Sequence, residues 1–160
     1  METEENIKNA TIKDKDFMIK EIEIIQGIIN RMAHNSFMIK GWTITLVVGT
    51  LLLKGDKSQV FIAFIPILIF WFLDAYFLRI ERLYRRLYNW IKDNRLKTQD
   101  FLFDLNYKRF EKEEQSVLRI MFSTTLGLFY GSIFGLTLIY VCIYHFPNIC
   151  ICVGNFPNIK

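Results

Sequence analysis

An all-α integral membrane protein with three transmembrane helices is the fold class this sequence predicts. Three observations predict it: long runs almost without charged side chains, charge crowded into the connections, and helical apolar periodicity in the polar stretches beside the runs. The chain has 160 residues, 52% of them hydrophobic. An ordinary globular domain, at about 45–50% apolar, spreads its charge along the chain instead of segregating it. The whole of residues 1–160 therefore reads as a single membrane domain.

Residues 1–16 are polar and are expected to fray. Because Met1 to Lys20 is polar and acidic, no cleavable signal peptide is expected there, and insertion is expected to fall to the first internal apolar run. From residue 17 to 35 an amphipathic helix is expected: Ile22, Ile25, Ile29 and Met32 recur at steps of three and four, with Lys20, Glu21, Glu23, Asn30 and Arg31 between them. Nothing breaks it before the first span, so the two can be continuous.

The first span is 36–53, interrupted only by Lys40, which is expected to snorkel to the nearer interface beside the anchor Trp42. Taken alone, this run also fits the buried core helix of a soluble protein. Residues 54–59 are a polar turn. The second span, 60–78, has Asp74 as its one charge, and Pro66 is expected to kink it. The same helix is expected to continue as a basic extension: Ile80, Leu83, Leu87 and Ile91 keep one face apolar, while Arg79, Arg82, Arg85 and Arg86 crowd the rest. Glu81 and Arg85 are spaced to pair on its surface. Residues 98–116 read as an irregular loop that tucks its aromatic side chains against the helices. The third span, 120–144, is twenty-five residues without a charge.

Orientation follows from the basic residues. Segment 79–119 holds eleven Lys and Arg, whereas the 54–59 turn holds two, which places 79–119 in the cytoplasm. The N-terminus is then cytoplasmic and the tail 145–160 external, in a multi-pass membrane protein. The net charge of +4 sits beside the apolar runs, a placement that suits anionic lipid headgroups and argues against nucleic acid.

Few residues carry specific chemistry. Ser123, Gly127, Gly131 and Gly135 put a small residue at every fourth position, a glycine-zipper face that lets another helix approach closely. That face serves either a homo-oligomer or a neighbouring span of the same chain. Asp74 is a candidate for an ion path or for gating; the alternative is an interfacial carboxylate bonded to water, Tyr76 or a nearby arginine. Arg79, Arg82, Arg85 and Arg86 are candidates for binding an anionic lipid or ligand, an anionic nucleotide among them. Cys150 and Cys152 supply at most two metal ligands, with His145 nearby, so no metal site and no cofactor are expected. His34 and His145 fall on opposite sides of the predicted bilayer. Phosphate-loop, zinc-helix and nucleophile-elbow motifs are missing, so no catalytic residues and no enzymatic activity are expected. Phe146-Pro-Asn-Ile recurs as Phe156-Pro-Asn-Ile, too short an echo to define a repeat.

The strings RMAHNSFMIKGW (31–42) and FWFLDAYFLRIERLYRRLY (70–88) resemble stretches of small uncharacterised multi-spanning bacterial membrane proteins, some of them carried beside anti-phage defence genes. The resemblance implies a membrane effector whose cytoplasmic part receives a signal and whose spans disturb the membrane. Two functional expectations stand side by side. One is an oligomeric leak or channel opened by a cytoplasmic signal, in antiviral defence. The other is a non-catalytic anchor or scaffold that holds a soluble partner protein on the apolar faces of helices 17–35 and 79–97.

Overall fold

The computed structural model describes residues 2–52, 61–98 and 100–145, with side chains over 12–52, 61–98 and 100–143. The turn expected at 54–59 and the tail with Cys150, Cys152 and the Phe-Pro-Asn-Ile echo lie outside the described residues. Helix α1 is Glu2–Leu52, α2 is Phe64–Asn94, α3 is Val117–Met121 and α4 is Thr124–His145, with a 3-10 helix at Tyr107–Glu113. Among the described residues there is no strand.

The N-terminal sixteen residues are helical from Glu2 onward, where fraying was expected. No Pro or Gly stands before Gly27, and acidic residues at 2, 4 and 5 suit the positive end of a helix. The amphipathic stretch and the first apolar run are one continuous helix. Within that run Thr43, Thr45 and Thr50 return their hydroxyls to the carbonyls of Ile39, Gly41 and Leu46 at 2.8, 3.0 and 2.7 Å. Three polar side chains are thereby satisfied without water.

Helix α2 is not kinked at Pro66. The proline lies in the first turn, where a backbone N–H has no intrahelical acceptor to lose, so the helix runs unbroken to Asn94. The third apolar run is not one helix from residue 120. Helix α3 stops at Met121, whose carbonyl takes a hydrogen bond from Trp71 Nε1 at 2.9 Å, and α4 starts at Thr124. Ser123 marks the restart, its carbonyl accepting from Gly127 N at 2.7 Å. The signal was in the sequence, since Ser-Thr-Thr is a typical helix opening.

Among the described residues two helices are long and apolar enough to cross a membrane: Phe61–Asn94, whose apolar stretch has mean hydropathy 2.2, and Thr124–Ile143, whose apolar stretch has 2.0. Only 22% of each apolar window is buried within the chain, which fits helices solvated by lipid better than the core of a soluble protein. Helix α1 is not among them, because Lys40, Trp42, three threonines and two glycines dilute its apolar run.

The chain divides into two compact units, and α1 and α2 contribute to both. The first comprises Met1–Ser36 and Tyr76–Val117. Its core is Ile25 of α1 with Leu87 and Ile91 of α2, ringed by Met18, Ile22, Ile29, Tyr84, Tyr88, Trp90, Leu105 and Phe110. Each such burial is worth about 1.5–3 kcal/mol, enough to pair two helices that are otherwise polar. The 98–116 segment is irregular apart from its 3-10 helix, capped by Asn106 accepting from Lys108 N. Its rings pack on the helices, with Phe103 on Phe17 (5.9 Å between centroids), Tyr107 on Tyr84 (5.0 Å) and Phe101 on Trp90 (6.3 Å).

The second unit comprises Phe37–Ala75 and Leu118–Lys160. Here α2 runs antiparallel to α4: Phe64 meets Phe134 at 4.9 Å while Trp71 meets Phe122 at 5.4 Å. Helix α1 runs parallel to α4, with Lys40 over Phe129 at one end and a groove between Leu51 and Tyr140 towards the other.

Candidate functional site

The apolar unit holds a buried polar cluster contributed by all three long helices. Asp74 of α2 is fully buried, although it lies in the apolar stretch of that helix. Lys40 of α1 reaches its Oδ2 at 2.6 Å, and the hydroxyl of Tyr130 on α4, also fully buried, donates to the same oxygen at 3.1 Å. Thr43, one turn beyond Lys40, is buried too. Trp71 stacks on Tyr130 with centroids 5.9 Å apart and planes 10° apart, and Lys40 Nζ sits 5.9 Å from the Phe129 ring. The rings exclude water, and the ion pair and hydroxyl compensate the carboxylate that they desolvate.

The Lys40 ammonium, on a side chain 25% exposed, turns to Asp74. Asp74 is held by Lys40 and Tyr130 rather than by Tyr76 or an arginine, since Tyr76 is exposed and Arg79 bonds the Gln115 carbonyl and the Glu111 carboxylate. The cause is cost: an isolated carboxylate inside an apolar bundle is far dearer than one paired with an ammonium, so the two charges find each other.

The small-residue face of α4 is open. A methyl group added at Gly131 or Gly135 would meet nothing within 4 Å, and one at Gly127 would meet only the Phe122 backbone at 3.8 Å. Hence no helix among the described residues is seated on Gly131 or Gly135. Ser123 differs, since its hydroxyl oxygen is buried without a hydrogen-bond partner. Gly41 and Gly49 of α1 are equally open.

In the other unit the four arginines of α2 are engaged by carboxylates. Arg79 pairs with Glu111 at 3.3 Å, Arg82 with Glu114 at 3.7 Å, Arg85 with Glu81 at 2.7 Å, and Arg86 with Glu114 at 2.8 Å and Glu113 at 3.4 Å. The Glu81–Arg85 pair predicted from spacing forms, but its carboxylate is nearly buried. Burial alone would raise the Glu114 carboxyl; the hydrogen bond from Arg86 and the charges of Arg86 and Arg82 outweigh it and hold the group below the usual range. Burial, with Tyr107 close by, raises the Tyr84 hydroxyl against the opposing charge of Arg31.

Sequence reading missed the most deeply buried ion pair. Glu21 and Arg95 are 0% and 2% exposed at their side chains and form two parallel bonds, Arg95 Nη2 to Glu21 Oε1 at 2.8 Å and Nε to Oε2. Arg95 also donates to the Asp100 and Phe101 carbonyls, at 2.8 and 3.2 Å, while Glu21 Oε1 accepts from Phe103 N at 2.7 Å. The clasp thus fixes the 100–103 turn, where Phe101 and Phe103 sit at φ 59° and 58°, a left-handed region that side chains avoid. A signal existed: Glu21 stands four residues from both Phe17 and Ile25, and Arg95 four from Ile91, so both lie on apolar faces.

Chemically, the Asp74 cluster can hold charge, pass a hydrogen bond between helices and tie three helices at one level. Among the described residues no group of three or more His, Cys, Asp or Glu is placed to hold a metal. Comparison with family models, with curated proteins and with solved structures finds no match for this chain.

Proposed function

We propose that the protein is a three-span bacterial inner-membrane effector that forms an oligomeric leak, held shut by the Lys40–Asp74 pair and opened by a cytoplasmic signal. The observation that carries this is an ion pair set among apolar helices, its Asp74 carboxylate fully buried and its Lys40 side chain 25% exposed, and shared, through Tyr130, by α1, α2 and α4. Ionisable groups at membrane depth are costly and mark gating or ion paths. The third span is α1 from residue 36 onward, which lies along α4 from the level of Phe129 to that of Tyr140 and so shares its surroundings. In this reading the N-terminus is cytoplasmic and the C-terminus external. The open glycines of α4 supply the subunit contact.

A potential-sensitive dye in cells expressing the chain tests this. Asp74→Asn, which removes one charge of the pair, is expected to depolarise cells without a stimulus, and the exchange Lys40→Asp with Asp74→Lys to restore the potential. An unchanged potential for all forms, in a membrane-inserted oligomer, overturns the leak.

A second reading, a non-conducting anchor for a soluble partner, is favoured by one observation: the arginines of α2 are engaged by carboxylates of the same unit, leaving less free charge for an anion. It is supported if crosslinking captures one dominant partner and function survives Asp74→Asn.

A further inference from the structure

The charged unit carries a groove between α1 and α2 lined by Gln26, Ile29, Arg85, Tyr88 and Asn89, with a volume of 290 Å³. Small-molecule sites begin at about 300 Å³, and the groove lies just under that, so it suits only a small ligand. Its floor is firm, because Ile29 and Tyr88 pack against the Ile25, Leu87 and Ile91 core. Gln26 and Asn89 are exposed at its rim and Tyr88 is half-buried, so their amides and hydroxyl are open to solvent and to a ligand. Arg85 uses Nε and Nη2 on Glu81 Oε1, at 2.9 and 2.7 Å, which holds its guanidinium in place and leaves Nη1 without a partner.

An aromatic face beside an aliphatic one accepts a planar ring. Two amides from opposite walls, each with a donor and an acceptor, match the donor–acceptor edge of adenine. A tethered guanidinium takes a phosphate oxygen. The Glu81 carboxylate beside it already neutralises part of that charge, which favours one phosphate over a polyphosphate. We propose that this groove binds adenosine monophosphate, with the base on Tyr88 and Ile29, its polar edge on Gln26 and Asn89, and the phosphate on Arg85. The inference names a ligand for the signal in the proposed function, but the binding stands or falls by itself.

The test is calorimetric titration of the full chain in neutral-lipid nanodiscs with adenosine monophosphate, adenosine, inorganic phosphate and adenosine triphosphate. Saturable binding of the monophosphate is expected, with adenosine and phosphate each about tenfold weaker or more, the loss of one recognition element. Arg85→Ala should bring the monophosphate down to the affinity of adenosine. Gln26→Ala, at an exposed position that spares the core, should erase the preference for adenosine over uridine monophosphate. No saturable binding to a helical, monodisperse chain overturns the proposal. So does binding that both variants leave unchanged, or binding of phosphate as tight as that of the monophosphate. If adenosine monophosphate binds while the membrane potential never changes, the groove survives and the leak does not; the converse result removes only the groove.

Discussion

Replacing Glu21 by Ala removes the carboxylate that neutralises Arg95 and accepts the Phe103 N–H, and the structure sets what this costs. Removing one partner of a buried ion pair typically costs about 3–5 kcal/mol, because the other charge is left in a poor solvent. Arg95 keeps the Asp100 and Phe101 carbonyls at 2.8 and 3.2 Å, which places the loss at the lower end of that range. The stranded Phe103 N–H adds about 1 kcal/mol, so the total is about 4 kcal/mol. A domain is stable by about 5–15 kcal/mol, and a loss of that size opens the least secured segment first. That segment is the 100–103 turn, since Phe101 and Phe103 at positive φ stay there only while the clasp holds them. Hydrogen exchange in nanodiscs should show protection lost over residues 100–113 while the α4 amides are unaffected. Glu21→Leu combined with Arg95→Met, which removes both charges, should recover at least about 2 kcal/mol relative to Glu21→Ala. Additive costs, or a loss below about 1 kcal/mol for the single change, refute the reasoning.

Leu87→Ala, in a core whose three central residues are each at most 1% exposed, should cost about 2–5 kcal/mol by denaturant titration. Gly131→Ala meets nothing within 4 Å and is expected to leave the monomer fold intact or stabilise it by up to about 1 kcal/mol, while weakening self-association measured by crosslinking if the open face is the subunit contact. The carboxyl of Glu114 is held low in the folded chain, so its contribution is fully present above the unfolded carboxylate value and is lost as pH falls through the folded one. Acid titration of stability should therefore show a falling limb below the ordinary carboxylate range, and Glu114→Gln should flatten it.

Much of the fold was legible because it is written in local pattern. Steps of three and four at Ile22, Ile25 and Ile29 and at Leu83, Leu87 and Ile91 define faces that meet whatever else the chain does, and Leu87 and Ile91 duly bury against Ile25. The run from Thr124 is apolar on every side, which no water-facing helix tolerates. Local pattern failed where a decision needed a distant residue. Pro66 reads as a kink until the helix is seen to start only at Phe64. Residues 120–123 read as helix until the Trp71 indole takes the Met121 carbonyl.

By itself, then, the sequence determined most of the helical stretches, two runs apolar enough to cross a membrane, and the apolar faces that meet at Ile25, Leu87 and Ile91, since these depend on side-chain type repeated at a fixed period. Only the tertiary structure decided where the charges go: Lys40 to Asp74, Arg95 to Glu21, Arg86 to Glu114. A charge leaving water must find its opposite, and the nearest one in space, as with Glu21 and Arg95 at a separation of 74 residues, has no periodic signature along the chain.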